Sequence, residues 1–384
     1  MMKTIVVIIA FICGNALYSL AQEQVENHNN TGLKYTSHKK EKEKVSFQFA
    51  KLSRNVKENF LKENVSLNVL VEPDYYVWCL SVIKWTDGKY HGYYSRWPKK
   101  VGFDGWLTDC EIAHAISDRP EGPFLFESVV LKSRNSEGWD VLTSHNPSAC
   151  VAGDKLCLYY ISNDLGQDFK DLSAPMNLDF RKENWNLIRN KQRIGVAIAT
   201  DPSGPFTRSQ NPVVEPDNEL FKNIAVNPAV CSVNGKFTMI MKGDDVGKDE
   251  WFRIQLVGHA AKAEGPFQFG KKPVYDKKQT EDAGIWYDTS RQKYYMTCHV
   301  MGLPDLALFS SKDSYQWEPA SQPVLMKKEF LLDNGEIWKP ERVERPFVLT
   351  DDNGKPVMLY VAVYDNGASG NIAVPFIDNE KRLK

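Results

Sequence analysis

The sequence lacks the features that mark nucleic-acid-binding and membrane-spanning proteins. Its 48 basic and 49 acidic side chains leave a formal charge of −1, so it has no excess of positive charge for binding a polyanion or an anionic membrane. Beyond the N-terminal segment, no apolar run approaches the roughly 18 residues that a membrane-spanning helix needs. We therefore expect neither nucleic-acid binding nor membrane insertion.

Cysteine is scarce, and its spacing forms no recognisable motif. One of the seven cysteines is Cys13, and the other six are scattered without a C-x-x-C pair. Most lie in apolar strand patterns, which favours buried small side chains over a disulfide framework or a zinc site. We expect no metal site and no cofactor. The alternative is a structural cation bound in the central channel of the fold.

The N-terminus has the pattern of a secretory signal peptide. Lys3 precedes an apolar run at residues 5–12, and Ser19 and Ala21 are the small residues of a cleavage site. The pattern predicts a signal peptide over residues 1–21. The protein is therefore expected to be secreted or periplasmic.

Two further segments complete the predicted domain organisation. Residues 22–43 are polar and rich in charge, which predicts a flexible leader, and residues 44–384 are expected to form one domain. Cys13 leaves a lipoprotein anchor open, although the residues before it are bulky for that motif.

Five segments share the pattern of a β-hairpin. Each has a short apolar run, a polar turn and then an aromatic-rich strand. They are SVIKWTDGKYHGYYS (81–95), SACVAGDKLCLYYIS (148–162), AVCSVNGKFTMIMKG (229–243), GIWYDTSRQKYYMTCHV (284–300) and FVLTDDNGKPVMLYVAV (347–363). The pattern predicts five hairpins in one chain.

The hairpins are followed by a third strand, and in three cases by Gly-Pro-Phe. Repeats of this kind, with four strands each, are typical of propeller blades. The sequence therefore predicts an all-β, five-bladed β-propeller of four-stranded antiparallel blades. We expect the strand-like segment 44–52 to complete the last blade and close the ring, and the insertion 163–192 to wall one side of a site.

Polar residues precede or follow the strands that would line the central channel. Because inner strands meet around one mouth of a propeller, we expect these side chains to converge in one pocket. They are Trp78 and Cys79, His145 and Asn146, Asn227, Glu281 and Asp282, and Glu344 and Arg345 at the inner strands, with Arg96, Trp97, Asn163, Asp164, Lys242 and His299 ending the second strands.

Each of these residues also has a structural interpretation. Asn146 and Asn227 both precede proline and could cap strand ends through their own backbone. His299 has apolar neighbours and could be a core histidine. Glu281 and Asp282 could lie in a solvated turn, and the charged residues around Glu344 could form a structural ion-pair network.

The chemistry that such a pocket supports is glycoside cleavage, which needs a protonated carboxylic acid and a second carboxylate. Asp282 and Glu344 are the predicted pair, because we expect them at equivalent positions of adjacent blades. Glu281 would raise the pKa of a neighbouring carboxyl by like-charge repulsion, and His299 is an alternative general acid. The predicted substrate-binding residues are Trp78, Trp97, Glu111, His145, Asn146, Asn227, Lys242, Trp286 and Arg345.

Four related motifs recur along the chain, namely HNPSACVAGDKLCLYY, NPAVCSVNGKF, EDAGIWYD and ERPFVL, and the tripeptide Gly-Pro-Phe follows three of the repeats. Together they resemble the five-bladed propeller glycoside hydrolases over residues 70–376. This group includes glycoside hydrolase families 43, 32, 117 and 130. Family 43 implies two Asp and one Glu at positions that here match Cys79, Asn146 and Asn227. The resemblance therefore implies a divergent branch whose acids have moved to blades four and five.

The resemblance and the predicted pocket lead to one hypothesis and two alternatives. The hypothesis is a secreted, exo-acting glycoside hydrolase that removes a terminal sugar from a polysaccharide-derived oligosaccharide. The alternatives are a propeller that binds glycans without cleaving them and, by resemblance to family 130, a glycoside phosphorylase with Lys242 and Arg345 at the phosphate.

Overall fold

The protein is described by a computed structural model over residues 46–132, 138–165, 178–248 and 251–377. The predicted signal peptide and leader, residues 1–43, lie outside these residues. No helix in the described part of the chain is long and apolar enough to cross a membrane.

Five four-stranded antiparallel sheets form a five-bladed β-propeller, which confirms the predicted fold. The blades follow one another along the chain. Blade one is β2 Tyr75–Lys84, β3 Tyr90–Pro98, β4 Glu111–Ser117 and β5 Leu125–Leu131. Blade two is β6 His145–Ala152, β7 Lys155–Asn163, β8 Gln192–Ala199 and β9 Thr207–Arg208. Blade three is β10 Phe221–Val233, β11 Lys236–Asp245, β12 Arg253–Ala260 and β13 Gln268–Phe269.

Blade four is β14 Thr280–Asp288, β15 Lys293–Val300, β16 Asp305–Ser311 and β17 Glu318–Lys327. Blade five is β20 Arg342–Thr350, β21 Pro356–Asp365 and β22 Ala368–Pro375, with β1 Val69–Val71 outermost. A small sheet pairs β18 Phe330–Leu331 with β19 Ile337–Trp338 between these two blades. The described helices are α1 Asn55–Leu61, α2 Trp106–Asp109 and α3 Leu178–Asn190, with 3₁₀ turns at Lys99–Val101 and Phe103–Gly105.

The ring is closed by a different segment from the one predicted. Val69–Val71, rather than residues 44–52, forms the outer strand of blade five by pairing with residues 370–372 of β22. Gly370 permits this approach, because a Cβ there would lie 2.5 Å from the Leu70 carbonyl oxygen. Within 46–52, the described part of the predicted strand, pairing is limited to isolated bridges of Phe49 with Phe376 and Leu52 with Leu332.

Hydrophobic residues pack between neighbouring blades, so the core is distributed around the ring. Between blades four and five, Trp286, Leu308 and Val361 pack together with Phe60 of α1. Serine side chains also join adjacent inner strands: the Ala149 backbone N donates to Ser81 Oγ at 2.8 Å, and the Val230 N donates to Ser148 Oγ at 3.1 Å. These links hold the inner strands of blades one, two and three at fixed positions beside the channel.

Candidate active site

Each inner strand has an irregularity at the same point. The pairing register of every inner strand shifts where it enters the blade, and one residue at each shift has a positive φ angle. Such bulges redirect a side chain, and left-handed backbone is uncommon for residues other than glycine. The five residues, one per blade, are Cys79 (58°), Asn146 (51°), Asn227 (54°), Asp282 (60°) and Arg345 (52°).

These five residues, here called the axial ring, are joined by hydrogen bonds. Cys79 Sγ donates to Asn146 Oδ1 at 3.0 Å, Asn146 Nδ2 donates to Asn227 Oδ1 at 2.9 Å, and Asn227 Nδ2 donates to Asp282 Oδ1 at 2.8 Å. Arg345 completes the ring by donating through Nη1 to Asp282 Oδ1 at 3.2 Å and through Nε to Cys79 Sγ at 3.0 Å. The ring therefore runs in one direction, from the Arg345 cation to the Asp282 carboxylate.

Burial keeps the Cys79 thiol neutral. Loss of solvent raises its pKa to about 12, against the opposing effect of Arg345. A protonated thiol is the donor that Asn146 Oδ1 needs, because the amide nitrogen of Asn146 is already directed at Asn227. The ring thus places one acid, Asp282, at the end of three neutral groups.

The channel beside the ring is lined mainly by apolar residues. Leu80, Pro147, Pro228, Ala283 and Pro346, which each follow a ring residue, contribute to its wall. Hard cations prefer several oxygen ligands, and the side chains of these five residues carry none. Among the described residues there is no cluster of His, Cys, Asp and Glu that could hold a metal ion.

A second group of charges lies at Glu281, the residue before Asp282. Its Oε2 atom is 3.0 Å from Lys242 Nζ and 3.3 Å from Arg253 Nε, and its Oε1 is 3.9 Å from His299 Nδ1. Burial alone would raise the pKa of Glu281, but Lys242 and Arg253 together hold it well below its usual value. Glu281 is therefore an ionised carboxylate.

Glu344 is equivalent in blade five to Glu281 and not, as predicted, to Asp282, because the register shift follows Glu281 in one blade and Glu344 in the other. Its environment is nevertheless the opposite of that of Glu281. Burial, with the negative charges of Asp282 and Glu281, raises its pKa to about 7. Its carboxyl group makes no hydrogen bond or ion pair with any residue that the structure describes, and the residue is partly exposed. The pKa of Glu281 is thus lowered and that of Glu344 is raised, so Glu344 holds a proton near neutral pH.

Three further residues, two of them not anticipated from the sequence, surround this group. Lys328, just after β17, is close enough to Glu344, Asp282, Glu281 and Asp305 for their charges to act on its pKa, although burial lowers that pKa overall. Burial raises the pKa of Asp305 and, together with Lys328, lowers that of His299. His299 is therefore neutral at pH 7.

The three tryptophans expected to stack on sugars are all buried. Trp286 is 2% exposed and stacks on Tyr295 in the core between blades four and five, with ring centroids 5.3 Å apart. Trp97 is also 2% exposed, and its indole N donates to the Phe103 carbonyl at 2.9 Å. Trp78 is 7% exposed and packs edge-on against Phe103. None of them presents an open ring face.

Two other predicted residues, His145 and Glu111, make their contacts with residues other than Glu344. His145 is buried between Thr143 and Gln192, at 3.1 and 3.2 Å, and burial lowers its pKa to about 3. Glu111 accepts a hydrogen bond from Arg96 Nε at 3.0 Å in an ion-pair group of blade one. Lys242, by contrast, lies at the carboxylate group itself.

Comparison with known proteins supports the fold. No protein-family model and no curated protein matches this chain. Among solved structures, it is similar to Zg3597, a family 117 glycoside hydrolase of the marine bacterium Zobellia galactanivorans, with a TM-score of 0.57 and 17% identity over 87% of this chain and 92% of the other.

Two further solved structures to which this chain is similar are also glycoside hydrolases. One is a glycoside hydrolase with a TM-score of 0.55 and 15% identity over 85% of this chain and 96% of the other. The second is CoXyl43, a family 43 β-xylosidase/α-arabinofuranosidase from a compost metagenome, with a TM-score of 0.52 and 13% identity over 82% and 95% of the two chains. The resemblance to propeller glycoside hydrolases is confirmed at the level of fold.

Proposed function

We propose that this protein is a glycoside hydrolase whose general acid is Glu344. The observation that carries the proposal is a carboxyl group that has no hydrogen-bond or ion-pair partner among the described residues and whose pKa is raised to about 7, next to the Asp282 and Glu281 carboxylates. Glycoside hydrolysis requires a protonated carboxylic acid and an ionised carboxylate at one site. The similar solved structures, which include glycoside hydrolases of families 117 and 43, share the fold on which this site is built.

Glu344 would donate its proton to the glycosidic oxygen as the bond breaks. Asp282 is the proposed second carboxylate. Both of its hydrogen bonds, from Asn227 and Arg345, are to Oδ1, which leaves Oδ2 without a hydrogen-bond partner among the described residues. That atom could act on a water molecule or on the anomeric carbon.

Glu281 has a supporting role in this proposal. Its pairing with Lys242 and Arg253 keeps it ionised, and its charge helps to hold the proton on Glu344. His299 is neutral, so it does not hold the additional proton that a general acid would supply.

We also propose an exo mode of action. The hydrogen-bonded axial ring spans the channel next to the carboxylates, so a substrate would reach them from one mouth of the channel. A chain whose end enters from that mouth would lose one terminal sugar at a time. The N-terminal pattern supports a secreted or periplasmic enzyme that acts on oligosaccharides derived from a polysaccharide.

The test is a screen of the purified protein against plant and algal oligosaccharides with identification of the products. Glu344→Gln and Asp282→Asn should each lower kcat/KM by about a hundredfold or more, as expected for acid–base groups. Glu341→Gln changes an exposed acid on the approach to β20 and should leave the rate unchanged. Release of one terminal sugar without added phosphate is the expected result.

A second candidate, glycan binding without cleavage, is favoured by one observation. The ring positions of blades one to three are Cys79, Asn146 and Asn227, none of which is a carboxylate. Glycan binding with no released sugar, unaffected by Asp282→Asn, would support this binder and contradict the hydrolase. Turnover that depends strictly on inorganic phosphate would instead indicate a phosphorylase.

A further inference from the structure

Blade four brings together an acid and a lysine that do not pair with each other. Asp305 is the first residue of β16, and Lys328 directly follows β17. The two chain segments are adjacent, since the Lys328 backbone N donates to the Pro304 carbonyl at 3.1 Å. Even so, the side chains form no ion pair within 4.0 Å, with each other or with any described residue.

Both side chains are partly buried, which makes their isolation costly. Asp305 Oδ1 is shielded from solvent and has no hydrogen-bond partner in the described part of the chain. Lys328 is desolvated enough for burial to lower its pKa. Buried polar groups are nearly always hydrogen-bonded, so groups left unpaired at one place indicate a position that water or a ligand completes.

We propose that Asp305 and Lys328 form a subsite that binds the hydroxyl groups of a neutral sugar beside Glu344. This inference rests on the proposed glycosidase function and names the substrate contacts on blade four. A sugar hydroxyl both donates and accepts a hydrogen bond, so it can donate to the Asp305 carboxylate and accept from the Lys328 ammonium. Because the two charged groups are more than 4.0 Å apart, the proposed hydroxyl would bridge them.

The surroundings favour a neutral sugar over an acidic one. The charges that act on Lys328 are those of Glu344, Asp282, Glu281 and Asp305, all of them acids. Glu281 and Asp282 are paired with cations and Glu344 holds a proton near neutral pH, but Asp305 has no ion-pair partner among the described residues. A carboxylate or sulfate bound at Lys328 would therefore be repelled by Asp305 where water is partly excluded. Hydroxyl groups avoid this repulsion. Because both residues lie at strand ends, the subsite is also held rigidly relative to Glu344.

The experiment measures binding, so that it is independent of turnover. Methyl glycosides of common neutral sugars, their single-deoxy forms and the corresponding uronic acids are tested by ligand-observed NMR with the full chain. Lys328→Met and Asp305→Asn should weaken binding of the best neutral glycoside about tenfold or more. Lys327→Met is the matched control, because that neighbouring side chain is 74% exposed, and it should bind like the wild type.

A deoxy glycoside separates direct contact from a general loss of structure. Removal of the contacted hydroxyl should weaken binding to the wild type but not to Lys328→Met, whereas a misfolded variant would lose binding to every probe. Lys328→Gln, which keeps a polar group, provides a second variant, with thermal unfolding as the check on folding.

Several outcomes would overturn the subsite. They are unchanged affinity in both variants, a uronic acid that binds more tightly than its neutral counterpart, or no binding of any glycoside. Binding that depends on Lys328 without any hydrolysis would contradict the proposed function and leave the subsite standing. Hydrolysis by the wild type, with unaltered binding in the variants, would contradict the subsite and leave the proposed function standing.

Discussion

Arg345 of blade five forms an ion pair with Asp282 of blade four, with Nη1 and Oδ1 3.2 Å apart. The two side chains are only 8% and 6% exposed. Arg345 also donates to Cys79 of blade one, so one buried cation connects three blades at the axis. The rest of the axial ring is neutral, and this pair therefore supplies its only charges.

The first prediction concerns the stability of this pair. Arg345→Met should lower the free energy of unfolding by about 3–5 kcal/mol, because it leaves the Asp282 carboxylate buried without its cation. The double variant Arg345→Met/Asp282→Asn should recover part of the loss. Chemical denaturation measures all three.

Arg342→Met is the control for this substitution. Arg342 begins the same strand but is exposed, over the ring of Phe103 at 5.3 Å, and its loss should cost less than about 1 kcal/mol. Equal losses for Arg342→Met and Arg345→Met would contradict the importance of the buried pair.

The second prediction tests the direction of the ring. Asn227→Asp replaces the amide that donates to Asp282 at 2.8 Å with a second acid. Two carboxylates at this distance cannot both ionise cheaply, so one pKa rises in the folded state above its unfolded value near 3.9. The variant should therefore match the wild type in stability near pH 4 and lose stability as the pH rises through the raised pKa.

Thermal unfolding at several pH values measures this effect. Asn234→Asp introduces the same acid at an exposed hairpin turn and should show no such pH dependence. An Asn227→Asp protein as stable as the wild type at pH 8 would mean that the ring bonds contribute little.

The third prediction is the pH dependence of catalysis. If Glu344 is the general acid, kcat/KM should fall as the pH rises through about 7, because the carboxyl then loses its proton. Glu281→Gln removes a negative charge that raises this pKa, so the alkaline limb should move to lower pH. An alkaline limb that stays in place in Glu281→Gln would assign it to another group.

The fourth prediction concerns acid stability at a site remote from catalysis. His114 is fully buried, with its Nε2 2.9 Å from Nδ1 of His91, whose other nitrogen lies 3.1 Å from Asp87. Burial, and secondarily His91, lowers the pKa of His114 from 6.5 to about 4. The unfolded chain therefore binds a proton between these pH values that the folded protein does not.

Stability should accordingly fall as the pH decreases from about 6.5 to about 4, by roughly 3 kcal/mol from this residue. His114→Gln should remove about one proton from the uptake on unfolding at pH 5, as measured by the slope of unfolding free energy against pH. An unchanged slope in the variant would show that His114 already binds its proton in the fold.

The sequence predicted the parts of this fold that depend on local pattern. Each hairpin has its own turn and alternating strands, and the polar residues at Asn146, Asn227 and Asp282 recur at one point of each repeat. The closing strand Val69–Val71 was missed because three apolar residues carry no periodic signal, and only their pairing with β22 defines them.

The surroundings of the candidate site were harder to predict than its central residues. Asp305 begins the third strand of blade four, and Lys328 directly follows the fourth. Polar residues also begin the third strands of blades one to three, at Glu111, Gln192 and Arg253, so this position alone did not single out Asp305. The proximity of Asp305 and Lys328 to Glu344 depends on the closure of blade four against blade five. The same packing buries Trp286, since its neighbours Phe47 and Val361 come from distant parts of the chain.

The last prediction separates the two kinds of tryptophan in this protein. Trp286→Ala removes a ring that is 2% exposed, stacked on Tyr295 and edge-on to Phe47 at 5.8 Å, so it should lower the free energy of unfolding by about 3–5 kcal/mol. Trp251 is 41% exposed over the Arg189 guanidinium at 4.3 Å, so Trp251→Ala should cost about 1 kcal/mol or less. Chemical denaturation measures both losses, and Trp286→Phe provides a variant that keeps most of the packing. If Trp286→Phe were as stable as the wild type but lost glycan binding, Trp286 would contact the sugar after all.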